Sequence, residues 1–185
     1  YEDGTVELGL TAYEKRAIAT FVPEWDPKKC IQCNRCSYVC PHAVVRPYLM
    51  DDAEKAKAPA GFLSAPAVGA KGLGYTLQIS RDDCTGCGSC VNSCLAKEKA
   101  IKMVPIEESK STPEQWAYGL SLGEKKGAFD AWTVKGSQFR QPLLEFSAAC
   151  AGCGETPYAK LITQLFGDRV YWANATGCSQ AWGAA

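Results

Sequence analysis

Cys30-Ile31-Gln32-Cys33-Asn34-Arg35-Cys36-Ser37-Tyr38-Val39-Cys40-Pro41 decides the fold: four cysteines separated by two, two and three residues. The spacing returns at Cys84, Cys87, Cys90 and Cys94, where Cys84 lies 54 positions after Cys30. Three thiolates spaced by two residues wrap one short loop around three corners of a 4Fe–4S cubane. The fourth cysteine follows on a helical turn, points away, and ligates the other cluster. Cys30, Cys33, Cys36 and Cys94 are therefore expected to hold one cluster, and Cys84, Cys87, Cys90 and Cys40 the other.

Other uses of cysteine fit less well. Zinc ribbons need two C-x-x-C pairs with a spacer of about 15–20 residues, not four cysteines in one run. A disulfide framework calls for a secretory context, and Tyr1-Glu2-Asp3-Gly4 does not open a signal peptide. Eleven cysteines against a single histidine, His42, disfavour Cys/His sites and imidazole acid–base chemistry. His42 reads as an exposed or hydrogen-bonded neighbour of a cluster, not a ligand. Leu95 replaces the proline that follows Cys40 in the first run, and no ligand is lost by that change.

The 185 residues are 46% apolar and 22% charged, with 20 Lys+Arg balancing 20 Asp+Glu. Zero net charge argues against nucleic acid, and no apolar run is long enough to span a membrane. A cytoplasmic location is expected.

The duplicated run predicts a pseudo-two-fold, α+β unit over 26–108, of the bacterial two-cluster ferredoxin type. A lead-in occupies 1–25, with a helical turn over Glu14–Phe21 ended by Val22-Pro23. A long insertion, rich in Ala, Pro, Gly and Lys over 55–71, reads as surface loop. Leu77–Ile79 and Ile101–Val104 alternate as strands. Residues 109–142 read as an extended connector pinned down by Trp116, Tyr118, Phe129, Trp132 and Phe139.

From 143 the chain reads as the opening of an α/β domain. Thr156 is the expected helix cap, with Pro157 in the first turn; Leu161, Ile162, Leu165 and Phe166 recur at helical spacing, and Gly167 is the stop. Arg169–Asn174 predicts a buried strand and Ala175–Ser179 a glycine turn. Cys150-Ala151-Gly152-Cys153 and Cys178 supply three further thiols, and spacing leaves a third cluster and a redox dithiol both open.

The segments Gln141–Phe146, Cys150-Ala151-Gly152-Cys153-Gly154-Glu155-Thr156-Pro157-Tyr158 and Asn174–Ser179 closely resemble pyruvate:ferredoxin (flavodoxin) oxidoreductase, and the resemblance extends over the whole chain. It implies a two-cluster ferredoxin domain followed by the beginning of a thiamine-diphosphate-binding domain over 143–185. It implies an enzyme that oxidatively decarboxylates pyruvate with coenzyme A and passes electrons through three 4Fe–4S clusters to ferredoxin or flavodoxin. By position Cys150, Cys153 and Cys178 match ligands of the third cluster, whose fourth ligand lies elsewhere. Glu155 matches a residue lining the thiamine site, which the Cys178 turn also borders.

The Gly-Asp-Gly…Asn motif for diphosphate and Mg²⁺ does not occur in these residues, so no catalytic residue is assigned. The chain is expected to be part of a larger, homo-oligomeric enzyme. The competing reading is a stand-alone polyferredoxin carrier, which has no use for Glu155 or the Cys178 turn. The pairs Lys28-Lys29 and Lys125-Lys126 read as solvated, with a docking patch for an acidic ferredoxin as the alternative. The carboxylate of Glu155 has a plainer use too, since a helix N-terminus favours negative charge.

Overall fold

A computed structural model describes residues 2–5, 7 and 9–183. The outermost parts of the lead-in and of the last segment (Tyr1, Val6, Leu8, Ala184, Ala185) lie outside them. Each cysteine run sits between two strands. The first lies between β1 (Phe21–Trp25) and β2 (Val45–Met50), with a one-turn helix α1 (Arg35–Tyr38). The second lies between β4 (Gly74–Ile79) and β5 (Ile101–Pro105), with α3 (Ser89–Asn92). Pairing crosses between the halves: β1 is antiparallel to β5 from Phe21↔Pro105 to Trp25↔Ile101, and β2 to β4 from Val45↔Ile79 to Met50↔Gly74. Outer strands pair together and inner strands pair together, as a pseudo-two-fold duplication requires. Val22, Val44, Val45, Tyr75, Leu77, Ile79 and Ile101 fill the space between the sheets.

The lead-in departs from expectation. Its helical turn is at Leu10–Tyr13, not 14–21, and Val22-Pro23 lies inside β1. Pro23 is tolerated because a two-stranded ribbon leaves each strand one free edge. The insertion is only partly loop. Asp51 and Glu54 form a reciprocal capping box on α2 (Asp52–Ala56), and β3 (Ala65–Pro66) adds to β4.

Residues 109–142 are not extended. Thr112 and Gln115 cap each other's backbone at the start of α4 (Pro113–Ser121), and Thr133 caps α5 (Val134–Ser137). The segment folds back on the core: Trp116 is buried and Phe129 stacks on Phe139 at 5.2 Å. Trp132 is the exception, mostly exposed with its edge on Phe166.

Helix α6 spans Thr156–Phe166, with Glu155 rather than Thr156 at the cap position, and Gly167 ends it at φ 63°. Residues 169–174 form no strand: Tyr171 is 97% exposed. A strand needs a ladder partner, and among the described residues no sheet edge reaches it. The turn expected over 175–179 runs instead into α7 (Cys178–Gly183).

Candidate iron–sulfur sites

The two cysteine loops share a backbone path. Gln32 and Asn34 take left-handed φ values of 56° and 59°; their repeat mates Gly86 and Gly88 take 69° and 73°. That path turns an amide toward the first sulfur of each loop. Gln32 N–H donates to Cys30 Sγ at 3.3 Å, and Gly86 N–H to Cys84 Sγ at 3.4 Å. Glycine adopts this conformation freely, whereas a side chain costs about 1–2 kcal/mol.

In the first loop side-chain bonds hold the strained residues. Gln32 donates to Pro66 O and accepts from Val68 N–H, both at 2.8 Å. Asn34 donates to Lys135 O and accepts from the Tyr75 hydroxyl, also at 2.8 Å. The insertion and the 109–142 segment thus brace the first loop.

Electrostatic coupling crosses between the two cysteine runs. Cys30 feels the charges of Cys33 and Cys94; Cys84 feels Cys40 and Cys87; Cys90 feels Cys40, Cys84 and Cys87. Burial, then these like charges, drives their thiols up, Cys84 to about 11 and Cys90 to about 12. Cys36 is raised likewise, by burial first and then by the charges of Cys90, Cys30 and Cys33. Four buried thiolates become stable together only around cationic metal.

A small cavity of about 20 Å³ is lined by Cys40, Cys84, Cys87 and Cys90. Among the described residues no three ligand side chains converge tightly enough for one metal ion. Zinc would need them closer, since Zn–S bonds are about 2.3 Å.

Two polar atoms in the wall of this cavity lack partners: His42 Nε2 and Thr85 Oγ1 are buried and find no hydrogen-bond partner among the described residues. His42 is buried rather than exposed, with Nδ1 3.3 Å from Ser147 Oγ. That hydroxyl donates to Pro41 O at 3.4 Å, so it accepts from Nδ1–H and leaves the Thr85 hydroxyl as the free donor facing the cavity. Trp25 Nε1–H is likewise buried without a hydrogen-bond partner among the described residues, and burial raises the Cys30 thiol.

The remaining cysteines lie apart. Cys150 and Cys178 are exposed, and Cys153 is half-buried. Burial opposes ionisation of Cys153, but the N–H groups of Thr156 and Glu155 and the Thr156 hydroxyl hold its thiol below the ordinary value. Gly152, at φ 75°, presses this turn against the second loop: a Cβ there would lie 3.6 Å from Cys87 Cβ. A cleft of about 370 Å³ is lined by Gly152, Cys153, Gly154 and Tyr158 on one side and by Ser89 and Asn92 beside α3 on the other. Glu155 accepts from Trp182 Nε1–H at 3.4 Å, which ties α7 to the start of α6.

Lys160 was not legible as a site residue. It is 2% exposed on α6, and its ammonium donates to Ser37 O and, at 3.2 Å, to Tyr38 O. It therefore caps α1 between Cys36 and Cys40, one thiol from each set. Burial lowers it to about 8, against the upward pull of Cys40. A lysine inside a helical pattern carries no sequence signal of this use.

Residues 29–98 match the family described as a 4Fe-4S dicluster domain. Over 183 residues, 99% of the chain, it is 55% identical to "Pyruvate-flavodoxin oxidoreductase" of Enterobacter agglomerans. It is 58% identical over 184 residues, 98% of the chain, to "Pyruvate:ferredoxin oxidoreductase" of Moorella thermoacetica. "Pyruvate dehydrogenase [NADP(+)], mitochondrial" of Euglena gracilis is 49% identical over 184 residues, 97% of the chain. The chain spans 16% of the length of the first two relatives and 10% of the third.

Proposed function

We propose, for a chain that matches a stretch of the pyruvate-flavodoxin and pyruvate:ferredoxin oxidoreductases along nearly its whole length, that it is the electron-relay segment of a pyruvate-oxidising enzyme. The observation that supports the reading most is that the two runs approach each other across the repeat: Cys40 lines one cavity with Cys84, Cys87 and Cys90, and Cys30 feels the charge of Cys94. When bound, the 4Fe–4S clusters supply one-electron redox chemistry between thiamine-dependent oxidation of the 2-oxo acid and an external acceptor.

The chain's own residues hold and tune that chemistry. Cys30, Cys33, Cys36 and Cys94 form one ligand set; Cys84, Cys87, Cys90 and Cys40 form the other. Gln32 and Gly86 N–H, Trp25 and Thr85 direct donors at sulfur, while the packed strands exclude water. Cys150, Cys153 and Cys178 contribute to a third cluster completed by a residue elsewhere in the enzyme, and Glu155 serves the thiamine diphosphate and Mg²⁺ site. The contact between Gly152 and the Cys87 loop supports the Cys84 set as neighbour of that third site. Pyruvate, coenzyme A, a ferredoxin or flavodoxin acceptor and a homo-oligomeric assembly belong to the whole enzyme. Eleven free thiols suit a reducing cytoplasm. A stand-alone carrier is disfavoured by the third thiol group beside the second loop.

Anaerobic reconstitution of the chain tests the assignment. About eight irons and eight sulfides per chain are expected for two cubanes, and zinc in place of iron ends the reading. In the full-length enzyme, pyruvate and coenzyme A should drive viologen reduction.

A further inference from the structure

The two cluster sites share local geometry but not surroundings. Beside the first, Lys28, Lys29 and Ile31 are exposed; 54 positions on stand Asp82, Asp83 and Thr85, partly covered and opposite in charge. Behind Cys94, Leu95 and Lys97 are exposed, whereas their mates Pro41 and Ala43 are buried. The second site is roofed. Lys15 pairs with Asp83, Ala17 N–H donates to Asp82 O at 2.9 Å, and Phe146 N–H to His42 O at 3.0 Å. Around the first, the insertion and the 109–142 segment cover Gln32 and Asn34 but leave Ile31, next to Cys30, 52% exposed and Leu95, next to Cys94, 55% exposed.

These residues form one continuous patch. Asp26 N–H donates to Ala100 O at 2.8 Å and Lys29 pairs with Glu98 at 2.8 Å, joining the two segments. Lys99 Nζ donates to Cys94 O at 2.7 Å, and Lys28 and Lys97 form no ion pair among the described residues. Two apolar side chains sit amid four lysines, in a chain whose formal charge is zero. In the other basic pair, Lys125 is engaged internally, bridging Glu54 and Asp51.

We propose that the patch of Lys28, Lys29, Ile31, Leu95, Lys97 and Lys99 is the docking face for an acidic electron-carrier protein, which makes the Cys30-side site the exit of the relay. The proposal rests on the relay reading above. Lysines steer an acidic partner and align it, while Ile31 and Leu95 give it a small dry contact over the ligand loop. At the other end Asp82 and Asp83 are paired with Arg81 and Lys15, whereas Lys28 and Lys97 stand unpaired among the described residues, so the charge pattern selects one of two otherwise equivalent ends.

The test uses the full-length enzyme carrying Lys28→Glu and Lys97→Glu, two exposed positions outside the ligand loops. An acidic flavodoxin is the probe, measured both by surface binding and as acceptor, with methyl viologen as the small acceptor. The variant should lose about tenfold in flavodoxin affinity and raise its KM similarly at low salt, with viologen turnover unchanged. In the parent, affinity should fall as ionic strength rises from about 20 to about 300 mM, and the variant should flatten that dependence. Unchanged affinity, KM and salt dependence in the variant overturn the docking face. Absent pyruvate-driven viologen reduction in the parent, with lysine-dependent flavodoxin binding intact, overturns the relay reading and leaves the face standing.

Discussion

Asn34 shows how one residue type can replace glycine when its side chain is employed. Its left-handed backbone costs about 1 kcal/mol that Gly88 does not incur, yet its amide bonds Lys135 O and the buried Tyr75 hydroxyl. Asn34→Gly should therefore destabilise the loaded protein by about 1–2 kcal/mol, since the Tyr75 hydroxyl loses its partner. Gly88→Ala meets no atom within 4 Å and should cost only the backbone strain, about 1 kcal/mol. Anaerobic denaturant titration separates the two; equal stability of Asn34→Gly and the parent would refute the brace. Lys160 acts at the same scale. Lys160→Met keeps the stem and removes a cation lying between both thiol sets. A change of about 1 kcal/mol in Coulomb energy corresponds to roughly 40 mV for one electron, so both potentials should move negative by that order. EPR-monitored redox titration reads the shift, and unmoved potentials would leave Lys160 as a helix cap alone.

Among elements, α6 carries the plainest lesson about legibility. The spacing of Leu161, Ile162, Leu165 and Phe166 marks the helix correctly, but Ile162 and Phe166 are exposed. The buried stripe is Thr156, Ala159, Lys160, Thr163 and Gln164. These polar groups seat on irregular backbone: Thr163 Oγ1 accepts from Leu143 N–H at 3.1 Å, and Gln164 Nε2 donates to Arg140 O at 3.0 Å. Periodicity reports which face is apolar; it does not report that a neighbouring loop offers unpaired amides and carbonyls. Thr163→Val should cost about 1–3 kcal/mol by stranding the Leu143 amide, and thermal melting against Thr163→Ser, which keeps the acceptor, isolates that bond. The connector failed for a related reason, because Thr112 and Gln115 form a capping box that its Ser, Pro, Gly and Lys content hides. The strands β4 and β5 and the duplicated cysteine runs were legible because alternation and ligand spacing are local. The crossing of ligands has its own test: Cys94→Ala should damage the site of Cys30, Cys33 and Cys36, and EPR loss confined to the Cys84 site would refute the pairing.

At the scale of the molecule, the reversal of α6 leaves an apolar surface facing outward. Tyr158, Ile162 and Phe166 lie along the helix, with Leu143, Tyr171 and Trp172 in the segments around it, all exposed. Monomeric proteins seldom leave such patches bare, and the chain matches only 16% of its bacterial relatives' length. On the proposed relay reading, the face is expected to seat against another part of the enzyme, with the lysine patch left for the carrier. Ile162→Ser discriminates. In the isolated, reconstituted chain the residue is on the surface, so stability should change by less than about 0.5 kcal/mol and binding of an apolar dye should fall. In the full-length enzyme the same substitution buries a hydroxyl in an apolar contact and should lower the melting temperature and the pyruvate-driven rate together. Destabilisation of the isolated chain by more than about 2 kcal/mol, the cost of emptying a core position, would mean that Ile162 is already packed inside and that the outward face of α6 does not exist.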